Sequence, residues 1–308
     1  MPRTDVYGLG QCALDFLGII HNYPSPDSKC EFTNLVVQGG GPIATALVAL
    51  TRWGLSCAFS GLLGDDEYGR KILKSLQAEN VDTSRVIIRE ECDSQVAFAM
   101  AEPGTGQRTI FWRRPTGMDL APEEIDRDLI QTTGIFHTDG IFPEASLAAC
   151  QIAKANAVPV SVDAGSMRPG MLEIARHADY FLASETFARD FAPGADPEDV
   201  CHRLAGFGPG VVCVTQGDQG YVALYQNKII KNPAYPVKTV DTTGCGDLFH
   251  AGFIYGITQK WDIEMCFDFG AWAAAMVSRY LGGRKGIPTI KECQEFKKAR
   301  GNSIISNE

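Results

Sequence analysis

No apolar run in this chain reaches the roughly 18 residues that a membrane-crossing helix needs. The N-terminal stretch Met1–Asp5 leads into a short apolar run broken by Gly8 and Gly10, which is not the pattern of a secretory signal. There is no C-x-x-C among the ten cysteines, and no Cys/His spacing of a zinc site. Reduced cysteines in a cytoplasmic protein are the expectation. Positive charge is scarce: 28 Lys and Arg against 37 Asp and Glu leave a net charge of −9. That balance argues against nucleic acid or an anionic membrane as a main partner. The five histidines form no constellation of a Ser/His/Asp or metal site that spacing reveals. Neither G-x-x-x-x-G-K-[ST] nor an H-R-D loop occurs, so P-loop and protein-kinase chemistry have no support.

What is present is ordinary globular material, 45% hydrophobic and 21% charged over 308 residues. Short apolar runs alternate with helical patterns. Val6–Gly10, Ser56–Leu62, Gly134–His137, Val158–Asp163, Ala178–Leu182 and Val211–Thr215 read as strands. Pro42–Trp53, Asp66–Ala78 and Glu144–Asn156 read as helices. That succession predicts an α/β fold, a central, mostly parallel sheet sandwiched by helices, spanning 1–308 as a single domain. Two segments break the rhythm. Residues 13–38 hold Tyr23-Pro24-Ser25-Pro26 between extended stretches, and 94–114 alternate around a turn at Pro103–Gly106. Together they predict a small inserted β-sheet lid.

The strongest local signal is Asp241-Thr242-Thr243-Gly244-Cys245-Gly246-Asp247, between an extended run, Tyr235–Val240, and an apolar helix, Leu248–Thr258. The N–H groups of Gly244, Cys245 and Gly246 would be unpaired at the helix start, where the helix dipole favours an anion. Asp247 beside that anion makes sense as the acceptor of a proton from an attacking hydroxyl. Five fixed positions in seven residues arise by chance on the order of once per several thousand such chains, from average residue usage. An ordinary glycine-rich turn is therefore the weaker explanation.

Asp241–Asp247 resembles the D-T-x-G-A-G-D signature of the ribokinase family, the PfkB carbohydrate kinases, with Cys245 in place of the usual alanine. Gly39–Thr45, Gly61–Gly69, Val214–Gly220 and Gly282–Pro288 are similar to the family's other motifs, in the right order along nearly the whole chain. The resemblance implies a ribokinase-like fold and an ATP- and Mg2+-dependent kinase acting on a sugar hydroxyl. Asp247 would then be the base and the Gly244–Gly246 amides the anion hole. It places Asp15, Gly40, Gly41 and Thr45 on the acceptor side, Thr45 standing where many members have Asn. Lys29 and Arg108 are further candidate cations there. It places Thr215, Gly217 and Gly220 against the nucleotide's phosphates and ribose, and Val240, Gly270 and Ala274 around the adenine. Asp241 and Thr243 correspond to a monovalent-cation site, with K+ as the ion.

The family's N-x-x-E motif is absent: Ser184 and Phe187 stand at its ends, leaving Glu185 as a candidate for the magnesium network. Ketohexokinase-like and sulfofructose-kinase-like members also lack the full motif. Together with Gly39–Thr45 and Gly282–Pro288, this points to a ketose or sugar-phosphate-like acceptor. A nucleoside kinase of the adenosine type and a non-catalytic sugar-binding regulator on the same fold stay open. The apolar faces of the lid strands predict a homodimer through the lid. Gly8–Ala13 also satisfies G-x-G-x-x-A, with Asp27 roughly 20 residues on, a dinucleotide-binding pattern. The following segment does not read as a helix, and Pro24 and Pro26 break any crossover.

Overall fold

The computed structural model describes residues 3–102 and 107–305; the expected turn at Pro103–Gly106 lies outside the described residues. An eight-stranded sheet runs in the order Lys228–Asn232, Tyr221–Tyr225, Val211–Thr215, Tyr180–Ser184, Val160–Ala164, Ile135–Thr138, Val6–Leu9, Cys57–Ser60. The last six are mutually parallel, and the first two form an antiparallel hairpin on one edge. That hairpin was not foreseen. Its signal is short: Gln226 and Asn227 both take positive φ, 49° and 60°, as a two-residue turn between twisted strands requires.

The parallel strands read as continuous apolar runs because both faces are covered. Phe181 and Ala183 enter the core on one side, with the helices Pro143–Ala155 and Pro197–Ala205; Leu182 enters the core on the other. The helices Pro42–Arg52, Cys245–Thr258 and Ile263–Val277 cover the second side. Helix ends follow local chemistry. Asp66, Asp126, Asp196 and Asp262 each accept an N–H two or three residues into the helix they start.

The lid is a separate four-stranded sheet, Thr33–Gly40, Ala13–Ile19, Val96–Ala101, Arg108–Arg113. Its two middle strands are parallel and its outer pairs antiparallel. The dinucleotide pattern at Gly8–Ala13 ends in a strand rather than a helix. Its glycines have packing reasons: a Cβ on Gly8 would lie 2.6 Å from Ile43, and one on Gly10 2.5 Å from the same side chain.

Candidate active site

The sequence 241–247 folds as a tight loop feeding the helix Cys245–Thr258. Gly244 is its N-cap, at φ 83°, and a Cβ there would meet the Gly283 backbone at 2.4 Å. Glycine is required on both counts. Asp241 is 1% exposed and straps the loop. Its Oδ1 accepts from the Thr243 N–H and hydroxyl, at 2.9 and 2.8 Å, and its Oδ2 accepts from the Gly282 N–H at 2.8 Å. Asp241 thus ties Thr243 and Gly282 together, and one lone pair of Oδ2 is left over for the monovalent cation expected there. One amide also differs from expectation: the Cys245 N–H donates to the Thr242 carbonyl at 3.2 Å. Gly244 and Gly246 have no N–H acceptor among the described residues, and Gly246 is exposed. Of the three amides expected to face an anion, Cys245 is thus committed within the turn, and those of Gly244 and Gly246 are not.

Asp247 lies in the first turn of that helix. Burial, and then the charge of Asp163, push its carboxyl up to about 7, against the opposing pull of His250 and Arg108. Asp15, on the lid strand Ala13–Ile19, is 9% exposed; burial raises it to about 6, opposed first by Arg284. Gly40 gives Asp15 its room, since a Cβ there would lie 1.9 Å from the Asp15 carboxylate. Gly41, at φ 92°, caps the helix Pro42–Arg52, on which Thr45 is 2% exposed. Arg108, on the outer lid strand, donates to the Thr242 hydroxyl and so joins the lid to the glycine-rich loop. Asp15, Gly40, Arg108 and the 241–247 loop thus converge on one cleft at the carboxyl ends of the parallel strands, where ligands bind in open α/β sheets.

Lys29 does not join them. It lies on the exposed segment 21–32, at the end of the lid hairpin where Ile19 pairs with Thr33. Asp15 is four residues nearer the cleft, roughly 13 Å along the strand.

Several buried polar groups at the same strand ends carried no sequence signal. Asp139 is 1% exposed, and its Oδ2 accepts from the Gln11 N–H and side-chain amide at 3.1 and 3.0 Å. Gln95 donates to Gln11 at 3.1 Å, and Arg168 donates to the Asp139 carbonyl at 2.8 Å. Asp163 and His250 lie beneath, 6% and 5% exposed. Arg284, within the Gly282–Pro288 run, is 5% exposed on the other side of the lid strand, against Ser75 and Gly39. A chain reading finds such groups only by placing successive strand ends side by side.

On the opposite side of the loop, Thr215 ends its strand, and Gly217 and Gly220 take φ 58° and 92° around a single 3-10 turn. The Val240 N–H donates to the Ser278 carbonyl at 2.8 Å, beside the partly buried Ala274. Gly270 has a different explanation from the adenine contact expected of it. It meets Gly252 where two helices cross, and a Cβ on it would lie 2.7 Å from the Phe249 carbonyl. At the missing N-x-x-E motif, the Ser184 hydroxyl caps the helix Glu185–Phe191 by accepting the Phe187 N–H at 3.0 Å. Phe187 is fully buried between Phe181 and Phe191, so the position of the family's acid has become core. Glu185 is exposed in the first turn. No group of three or more His, Cys, Asp or Glu is placed to hold a metal among the described residues.

Comparison with known proteins agrees with this architecture. The family model described as pfkB family carbohydrate kinase matches residues 3–290. A 5-dehydro-2-deoxygluconokinase of Clostridium botulinum is 28% identical over an alignment of 323 residues, covering 97% of this chain and 94% of that protein. Among solved structures, a putative ribokinase from Agrobacterium tumefaciens superposes with a TM-score of 0.87 at 23% identity, covering 97% of this chain and 99% of that one. Arabidopsis thaliana ribokinase, solved with ribose and ATP, gives a TM-score of 0.82 at 23% identity over 96% and 98% of the two chains. With a family model spanning nearly the whole chain, and a fold that places the signature loop at the carboxyl edge of the sheet, the chain belongs to the pfkB family and is a carbohydrate kinase.

Proposed function

We propose that the chain transfers the γ-phosphoryl group of ATP to a hydroxyl of a ketose or ketose-phosphate-like sugar, with Asp247 as general base. The observation that carries this reading is the placement of Asp247. It stands in the first turn of a helix whose leading glycine amides have no acceptor among the described residues, and its carboxyl is raised to about 7. A base poised near the working pH combines proton affinity with availability. Asp15 would accept hydrogen bonds from acceptor hydroxyls over Gly40 and Gly41, with Thr45 behind them. The Gly244 and Gly246 amides would hold the transferring group, and phosphoryl transfer depends mainly on such positioning and charge stabilisation. Thr215, Gly217, Gly220, Val240 and Ala274 would line the nucleotide side. Magnesium is held in kinases largely by the nucleotide's phosphates and water, with one or two carboxylates. Glu185 is the carboxylate we propose for that task, and the ion would neutralise phosphate charge. Arg108 would hold the lid down so that water is excluded.

The outer face of the lid supports a second copy of the chain as partner. Val37, Phe16, Phe98 and Phe111 lie in register across its four strands, and Val37, Phe98 and Phe111 are 47%, 47% and 64% exposed. An exposed apolar sheet face of this kind is a docking surface. We propose a dimer through it, and sedimentation showing only monomer at micromolar concentration would count against it.

ADP release from Mg-ATP across ketoses, aldoses, sugar phosphates and nucleosides tests the acceptor. Turnover with a ketose or its phosphate is expected. Turnover with nucleosides alone would replace this reading with an adenosine-type kinase. Silence across the panel with ATP still bound would favour a sugar-binding regulator.

A further inference from the structure

The helix that carries Asp247 is buried from Leu248 to Gly256, and within that stretch His250 is the ionisable side chain nearest Asp247. The Nε2 of His250 lies 3.3 Å from Asp163 Oδ1. Asp163 comes from the carboxyl end of the strand Val160–Ala164, over which this helix packs. On the neighbouring strand, His137 donates through Nδ1 to the Ser161 carbonyl at 3.1 Å, its ring centre 5.8 Å from that of His250. A buried acid–base pair costs more than apolar residues of the same volume, so packing does not account for it. Its position does, one helical turn from Asp247.

The charged and titratable groups around the pair come from every element that packs there. They are Asp247 on the same helix, His137 and Asp139 on and after the strand Ile135–Thr138, and Arg168 beyond the strand Val160–Ala164. Arg108 and Asp15 face Asp247 from the lid. His137 is held neutral: burial, and then the charge of His250, push it down to about 4. Burial pushes Asp163 up, but His250, through charge and hydrogen bond, then His137 and Arg168, hold it below the ordinary carboxylate range. Asp163 and His250 act on Asp247 in opposite senses, the first raising its proton affinity and the second lowering it.

We propose that Asp163 and His250 are a positioning pair for the transfer, a buried, hydrogen-bonded acid–base pair held 3.3 Å apart one helical turn from Asp247, whose two members act on the catalytic carboxyl together. The proposal rests on Asp247 being the base. Neither member needs to reach the acceptor; each works through Asp247. Loss of one member leaves an uncompensated field one helical turn from the base, whereas loss of both leaves little net change.

The test is the carboxyl 13C resonance of Asp247 in the full-length, aspartate-labelled protein, titrated by NMR without acceptor or nucleotide. The resonance is identified by its loss in Asp247→Asn. Asp163→Asn is expected to lower the midpoint by about one pH unit or more, and His250→Gln to raise it by a similar amount. The double variant should return to within about half a unit of wild type. The acid limb of kcat/KM, on whichever sugar the panel identifies, should move with these midpoints. Midpoints that stay fixed, or that move the same way in both single variants, would overturn the proposal and leave the pair a structural one. Should Asp163→Asn not fold, His250→Gln decides alone, because a lowered or unchanged midpoint there contradicts the proposal. Full turnover by Asp247→Asn would instead remove the base assignment, a failure visible separately from the titration.

Discussion

The two walls of the cleft are built in opposite ways. The floor is core: Asp241, Asp139, Asp163 and His250 are all at most 6% exposed, and each is hydrogen-bonded or ion-paired to another element of the α/β body. The lid is a thin sheet with one apolar face open, and its outer strand Arg108–Arg113 is exposed or half-buried along its length. Among the described side-chain contacts, Arg108 on Thr242 ties that strand to the glycine-rich loop. The base proposed at Asp247 needs a fixed environment for its proton affinity to be set, and the floor supplies one. An acceptor needs to enter and leave, and an exposed outer strand permits that.

This contrast can be broken from either side. The largest effect is expected on the floor: Asp247→Asn should lower kcat by roughly 10²–10⁴ with little change in ATP affinity. Next is the end of the lid strand Thr33–Gly40, beside Asp15. In Gly40→Ala the new Cβ would lie 1.9 Å from the Asp15 carboxylate, which must then shift. A displacement of that size should raise the acceptor KM about ten- to hundredfold and leave the KM for ATP alone, as initial-rate kinetics will show. On the lid, Arg108→Ala removes one charge-assisted hydrogen bond. It should cost about tenfold in kcat/KM for the acceptor and increase ATP hydrolysis without acceptor.

The smallest effect concerns stability and sharpens the electrostatic half of the comparison. The folded Asp247 carboxyl is raised to about 7, from an unfolded value of 3.8. The folded state therefore binds more protons than the unfolded state between those values, and stability falls as pH rises through that window. Asp247→Asn removes this term. Its Tm should match wild type near pH 4 and exceed it at pH 8, by differential scanning calorimetry. Equal Tm differences at both pH values would mean the carboxyl is not raised.

Much of the floor was legible in the chain because its signals are local. Asp241–Asp247 shows both the turn and its helix, and the apolar runs from Val6 to Thr215 show the parallel sheet. The lid was legible from alternation at 94–114 and from the prolines near Tyr23. What escaped was whatever depends on two distant elements meeting. Gln11, Gln95, Asp139 and Arg168 are unremarkable in sequence and become one network only at the strand ends. Gly270 suggested a ligand contact, and the chain alone did not show that it also meets Gly252 at a helix crossing. The Cys245 amide was counted as free because the turn that consumes it, onto Thr242, is a matter of backbone geometry rather than residue type. Lys29 was placed by charge alone, and the lid hairpin carries it away from Asp15.

The base assignment is the claim on which the rest depends. The direct measurement is ATP affinity and steady-state ADP formation for wild type and Asp247→Asn, side by side, on the sugar that gives the highest turnover. Unchanged ATP affinity with turnover reduced at least about a hundredfold is the result expected of a general base. Turnover within threefold of wild type would contradict it, and would move the proton acceptor to another group in the cleft, with Asp15 the first to test.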